Sequence, residues 1–123
     1  LSIDAGTTGI TILILDRKAA ICKKYYKEFT QYYPQPGWVE HDGEEIWDVT
    51  YKLIQSAFQD YSPKDCAGIG ITNQRETTLI WNRKTGQPIF NAIVWQCRRT
   101  HEICKNLQQA GNEDIFRKKL GWF

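Results

Sequence analysis

Arg75 and Glu76 stand side by side in GITNQRETTLIW, Gly70 to Trp81, where the surrounding residues read as buried strand. Arginine offers a planar fork of donors and glutamate offers acceptors, so the pair can satisfy vicinal hydroxyls, each of which both donates and accepts. Small polyols are bound through such pairs because they carry little apolar surface. The same dipeptide also suits a water-exposed strand end as an ordinary ion pair, contributing about 0–1 kcal/mol. A second constellation lies upstream, in Asp4-Ala5-Gly6-Thr7-Thr8-Gly9. Its backbone N–H groups and two hydroxyls can meet phosphate oxygens, while the aspartate holds Mg²⁺ directly or through water. A strand pattern follows, which excludes a Walker loop and a dinucleotide fingerprint, since both need a helix N-terminus after the glycines. Two readings stay open: a phosphate-binding hairpin, or a plain hairpin turn with Gly6 and Gly9 left-handed and Asp4 bonded to the loop.

Three further groups have chemical potential. Trp95 closes the apolar run FNAIVW and could lay its ring on the carbon face of a ligand, or simply fill the core. Cys97, His101 and Cys104 fall at i, i+4 and i+7, a spacing that could present zinc ligands on one helix face, but no fourth ligand is evident and cysteine also serves as a small core residue. His41, beside a helix start, reads as structural. No Ser/His/Asp or Cys/His arrangement supports nucleophilic catalysis.

These residues need elements to hold them. The opening LSIDAGTTGITILILD predicts a hairpin, Leu1 to Asp4 and Ile10 to Leu15, the second strand buried on both faces. A third strand is expected from Ile21 to about Tyr32, before Pro34, Pro36 and Gly37 break regular structure. Asp42 with Glu45 three residues on resembles a capping box. Ile46, Val49, Leu53, Ile54, Ala57, Phe58 and Tyr61 then follow at helical steps up to Pro63. CAGIGIT, Cys66 to Thr72, predicts a buried strand whose Gly68 and Gly70 admit a neighbouring backbone or a ligand. TTLIWN and FNAIVW read as strands joined by a turn at Gly86, and helices are expected from about Arg98 to Gln109 and from Glu113 to Lys119. The layout is α/β with a mixed sheet.

Composition bounds the function. A chain of 123 residues, 41% hydrophobic and 13% aromatic, has enough apolar surface for one core. Sixteen basic and fourteen acidic residues are interspersed, with no basic block beyond Lys118-Lys119 and Arg98-Arg99, so nucleic acid is not implied. No apolar run spans a bilayer and LSID lacks a basic signal region, which makes the cytoplasm the default setting. The irregular spacing of Cys22, Cys66, Cys97 and Cys104 fits reduced thiols. The absence of methionine and the stop at LGWF predict a piece of something longer.

Taken in order, IDAGTTG, YPQPGWVEHD and GITNQRETTLIWNRKTGQPIFNAIVWQCRRT resemble the amino-terminal end of the glycerol kinase branch of the FGGY family of carbohydrate kinases. The likeness covers nearly the whole chain and is close to word for word from Gly70 to Thr100. The resemblance implies a ribonuclease H-like domain of the actin and hexokinase type, partial here, with residues 1–123 as a truncated amino-terminal domain and a second, carboxy-terminal domain absent from this chain. It implies ATP-dependent phosphorylation of glycerol to sn-glycerol 3-phosphate, with glycerol and ATP as partners, Mg²⁺ as metal, no membrane insertion and a homo-oligomer when full length. By position, Asp4 would serve Mg²⁺; Thr7, Thr8 and Gly9 would lie at the ATP phosphates; Arg75, Glu76 and Trp95 would hold glycerol. The catalytic aspartate and the adenine site would lie beyond Phe123, leaving this segment inactive alone. Family members commonly carry Ser-Ser-Arg after Gly-Thr-Thr, where this chain has Gly9, Ile10 and Thr11. That departure admits a kinase of another polyol or ketose. A non-kinase, actin-like ATP-binding module is the reading from another class.

Overall fold

A computed structural model describes residues 1–120. Strand β1 (Ser2–Ala5) pairs antiparallel with β2 (Gly9–Leu15), and β2 pairs antiparallel with β3 (Ile21–Glu28). After helix α1 (Gly43–Asp60) and a single 3-10 turn at Pro63–Asp65, β5 (Gly70–Thr72) returns parallel to β1. The sheet order is thus β3-β2-β1-β5, a mixed sheet as expected. Two-residue strands β4 (Glu40–His41) and β6 (Ala92–Ile93) form a separate antiparallel pair, and α2 (His101–Gln109) and α3 (Glu113–Leu120) complete the chain.

The core lies between α1 and one face of the hairpin. Ile10 and Ile12 of β2 are fully buried, with Ile3, Phe29, Val49, Leu53 and Ala57 around them. Burying an aliphatic side chain of this size stabilises by about 1.5–3 kcal/mol, so this cluster fixes which face of the hairpin meets the helix. Leu13 is half-buried and Leu15 is exposed. The expectation of a strand covered on both faces is therefore corrected: α1 covers one face, and among the described residues no second layer covers the other.

The start of α1 differs in detail from a capping box. Asp42 Oδ1 accepts from the Glu44 N–H at 2.9 Å, whereas Glu45 Oε1 accepts from the Thr30 N–H and hydroxyl at 3.0 and 2.9 Å. Glu45 thus ties the helix to the segment after β3 instead of closing back on its own cap. The third strand is shorter than its sequence suggests, ending at Glu28, with Tyr32 bridging Glu40 alone.

Downstream, regular pairing is sparser than the apolar runs predict. The runs around Ile80 and Ile93 do fold back on one another about Gly86, which has φ +75°, a left-handed turn conformation that suits glycine. Yet among the described residues they are joined only by isolated bridges, Thr78 to Ile93 and Trp81 to Pro88. Only Gly70–Thr72 of the CAGIGIT run is strand, and it is exposed, because β5 is the outer strand of the sheet. A Cβ added at Gly68 or Gly70 would meet nothing within 4 Å, so no close backbone explains either glycine among the described residues. The second helix begins at His101 rather than Arg98.

Candidate functional site

Parallel pairing of β1 with β5 brings the two motifs together. Asp4 stands opposite Thr72, so the loop that follows β1 and the Asn73–Glu76 segment that follows β5 emerge at the same sheet end. Between them lies a cleft of about 360 Å³ lined by Thr7, Asn73, Gln74, Arg75, Glu76 and Trp95. That is at the small end of ligand clefts, which run from about 300 to 1,000 Å³.

Each expected site residue has a definite setting. Arg75 and Glu76 are exposed in the turn after β5, and among the described residues neither forms an ion pair. The surface-ion-pair alternative therefore finds no support in this geometry, and both charged groups stay available to a ligand. Glu76 has φ +60°; a non-glycine residue in the left-handed region costs about 1 kcal/mol, and such outliers cluster at ligand clamps. Trp95 is 53% exposed at the cleft wall, so it is not a core residue. Its indole N–H donates to Thr7 Oγ1 at 3.1 Å. Because indole can only donate, the Thr7 oxygen must accept, and its own proton remains free for a ligand oxygen.

Thr8 is exposed at the loop tip. Gly9 is buried in β2, where an added Cβ would sit 2.6 Å from the Lys27 carbonyl oxygen and 3.0 Å from the Glu28 Cα. Glycine is thus required here by the close approach of β3. Neither Gly6 nor Gly9 has positive φ, which removes the left-handed turn expected for a plain hairpin. The loop is closed by a Gly6 N–H to Gly9 carbonyl bond of 3.1 Å. Asp4 is exposed, and its Oδ1 accepts the Thr72 hydroxyl at 2.5 Å. A single exposed carboxylate is a fitting donor for Mg²⁺, which keeps most of its waters and takes one or two carboxylates beside phosphate oxygens. Cys97 lies in the turn before α2, so it does not share a helix face with His101 and Cys104.

Residues that sequence reasoning passed over hold the loop from beneath. Gln74 Nε2 donates to the Gly6 carbonyl at 3.0 Å, and Thr77 Oγ1 donates to Gln74 Oε1 at 3.1 Å. The Trp95 backbone N–H reaches the same Thr77 oxygen at 3.4 Å. Gln31 Nε2 donates to the Thr7 carbonyl at 3.1 Å, and Gln31 Oε1 lies 2.6 Å from Nε2 of fully buried His41. Burial holds the His41 imidazole below its ordinary pKa, against the opposing influence of Gln74 and Glu45. For Gln74 and Thr77 the signal was in the sequence, on either side of Arg75-Glu76; for Gln31 there was none.

A second buried polar group lies on β4. Glu40 is 3% exposed and accepts from Arg99 Nη2 at 2.6 Å and from Asn91 Nδ2 at 3.1 Å. The Arg99 guanidinium also stacks 3.9 Å from the Trp38 ring centroid and donates from Nε to Cys97 Sγ at 3.0 Å. Burial pushes the Cys97 thiol up, but hydrogen bonds from the Arg99 and Val39 backbones and the Arg99 side chain more than offset it, leaving its pKa below the ordinary value.

The sequence profile of the FGGY family of carbohydrate kinases, N-terminal domain, matches residues 1–123. The chain belongs to the FGGY family of carbohydrate kinases. This FGGY chain is 54% identical over 123 residues to the glycerol kinase of Leptospira biflexa, covering 98% of itself and 25% of that relative. The crystal structure of Plasmodium falciparum glycerol kinase with ADP matches with a TM-score of 0.93 at 35% identity, over 99% of this chain and 25% of that one. A gluconate kinase of Lactobacillus acidophilus, at 19% identity and a TM-score of 0.89 over 98% of this chain and 24% of that one, shares the fold. The mixed α/β fold is thus that of the FGGY amino-terminal domain, of the actin-like ATPase type. The FGGY chain spans about a quarter of the length of the curated relatives it matches. Among its described residues no helix is long and apolar enough to cross a membrane.

Proposed function

We propose that this chain is the amino-terminal part of a two-domain kinase that phosphorylates glycerol with ATP, giving sn-glycerol 3-phosphate and ADP. One observation carries the reading: Thr7 of the hairpin loop and Arg75, Glu76 and Trp95 line a single small cleft. A donor–acceptor pair for hydroxyls and a loop for phosphates must share a cleft if phosphate is to pass between them. The 54% identity to a protein named glycerol kinase supports the choice of glycerol among FGGY substrates.

In this mechanism Arg75 donates to glycerol hydroxyls and Glu76 accepts from them, while the Trp95 ring flanks the carbon chain. Thr7 offers its hydroxyl proton, and the backbone N–H groups of the Thr7–Gly9 loop offer donors, to phosphate oxygens. Asp4 would hold Mg²⁺, which supplies charge neutralisation on the transferring group when bound. Phosphoryl transfer depends mainly on positioning and charge stabilisation, so these residues form a substrate clamp and half of a phosphate cradle. The carboxylate that accepts the hydroxyl proton, the adenine pocket and the second domain belong to the region after Phe123, so the 123 residues alone have no kinase activity. The complete enzyme works in the cytoplasm as a homo-oligomer.

The test is a substrate panel with MgATP on the full-length protein: glycerol, longer polyols and ketoses. Glycerol should give the highest kcat/KM. A ketose preferred over glycerol would replace the substrate assignment, and nucleotide binding with no acceptor dependence would discard the kinase reading.

A further inference from the structure

His41 carries a cost that packing does not explain. Its side chain is fully buried, in edge contact with the Phe29 ring at 4.9 Å, and among the described residues its Nδ1 has no partner at hydrogen-bond distance, although the Gln74 amide lies close enough to act on the imidazole. A buried acceptor without a partner is unfavourable, and a phenylalanine or leucine would fill an apolar site without it. The reason for a histidine must therefore lie at Nε2. That atom faces Gln31 Oε1 at 2.6 Å, while Gln31 Nε2 faces two carbonyl oxygens, Thr7 at 3.1 Å and Phe29 at 3.4 Å. Only the amide NH₂ can satisfy two carbonyls, so the amide oxygen is turned toward the ring. Histidine must then be the donor, protonated at Nε2, with the bare lone pair on Nδ1.

The chain of consequence runs into the cleft. Gln31 holds the Thr7 carbonyl, Gln74 holds the Gly6 carbonyl, and both amides lie beside His41. With these two successive carbonyls held and the Gly6 N–H closing the turn, the Thr7 hydroxyl proton is left to face a ligand.

We propose that His41 is a positioning residue for the phosphate loop: as the neutral imidazole protonated at Nε2, it fixes the Gln31 amide and thereby the Thr7 peptide. The inference rests on the reading that this loop meets phosphate, and it names what shapes the loop before phosphate arrives. A substituent that keeps an N–H donor at the Nε2 position preserves the device; an isosteric apolar one does not.

The experiment uses the full-length protein with its best acceptor from the panel. His41→Leu should raise KM for ATP and lower kcat at least tenfold each, with KM for the acceptor changed less than threefold. His41→Gln, which retains a donor, should recover most of that loss. A merely structural role predicts instead equal kinetics for whichever of the two variants folds. Histidine-selective ¹⁵N NMR of the wild-type protein should show His41 protonated at Nε2, and hydrogen exchange of the Thr7, Thr8 and Gly9 amides should accelerate in His41→Leu. Protonation at Nδ1, or unchanged kinetics and loop exchange in a folded His41→Leu protein, overturns the proposal. If His41→Leu does not fold, the tautomer and the kinetics of His41→Gln decide. If the wild-type protein phosphorylates nothing, the functional reading fails separately, and the tautomer and loop exchange still judge His41.

Discussion

The bond from the Trp95 indole to Thr7 Oγ1 joins the wall that would hold the polyol to the loop that would meet phosphate. Trp95→Phe keeps an aromatic face there and deletes only the donor. The bond is neutral, 3.1 Å long, and made by a side chain that is 53% exposed. Water can therefore reach the released hydroxyl, and the loss should match an ordinary net hydrogen bond, about 0.5–1.5 kcal/mol. At about 1.36 kcal/mol per decade, that is roughly a 2- to 13-fold fall in kcat/KM. Thr7→Val removes the acceptor and also the hydroxyl proton offered to the ligand, so it should cost more. The double variant loses the shared bond only once, and its cost should fall short of the sum of the single costs by about 0.5–1.5 kcal/mol. Steady-state release of ADP by the full-length protein, coupled to NADH oxidation and varied in glycerol and in MgATP, gives all four corners of the cycle. Additivity within about 0.3 kcal/mol would refute the claim that the two subsites are joined through this bond.

Other perturbations probe separate parts. Arg75→Ala should cost about 2–4 kcal/mol in kcat/KM for glycerol, through lost hydrogen bonds and an unpaired Glu76; unchanged glycerol kinetics would discard the clamp. Arg99→Ala strands the buried Glu40 carboxylate and should destabilise by about 3–5 kcal/mol, read from denaturant unfolding. The paired change of Glu40→Gln with Arg99→Met should cost clearly less, and equal costs would show that the ion pair is not what matters. His41 links stability to pH. Its folded-state pKa lies below the unfolded value of 6.5, so the unfolded chain binds more protons as pH falls past that value. The contribution is present above about pH 6.5 and is lost as pH falls through the folded pKa. Thermal midpoints should therefore decline in that window for the wild-type protein and less so for His41→Gln.

Much of the frame was legible because single residues announced it. Asp42 and the Ile46-to-Tyr61 periodicity gave α1, which reports burial against one partner surface; the β-branched run from Ile10 to Leu15 gave β2 as a strand but not its one-sided burial. In the runs after Gly70 apolar composition does not mark regular strand; Ile80, Trp81, Ile89 and Phe90 are all exposed, and nothing among the described residues stacks on them. At the site, Arg75, Glu76, Trp95 and the hairpin loop were readable from residue types and from resemblance. Gln31, Glu40 and Arg99 were not, because an uncharged amide in a loop or a charge within a mixed stretch carries no local signal. The Glu40–Arg99 pair exists only once the chain has folded back over 59 residues, and the role of Gln31 only once the Thr7 carbonyl has met its amide. Gly9 stood out as a departure from the family pattern, but its physical cause, the backbone of β3, could be seen only in three dimensions.

The long reach of the cleft's bonds also bears on the order in which this chain folds. Thr72 to Asp4 and Gln74 to Gly6 each close 68 residues, and Trp95 to Thr7 closes 88. Loop closure costs entropy that rises with separation, whereas α1 and the β1–β2–β3 meander form from neighbours in sequence. The cleft is therefore expected to assemble last, when β5 docks on β1. A partly unfolded form with β5 detached would keep its helical circular dichroism and lose ligand binding. Ligand, in turn, would slow exchange at Gly70–Thr72 before it slowed exchange in the core of α1.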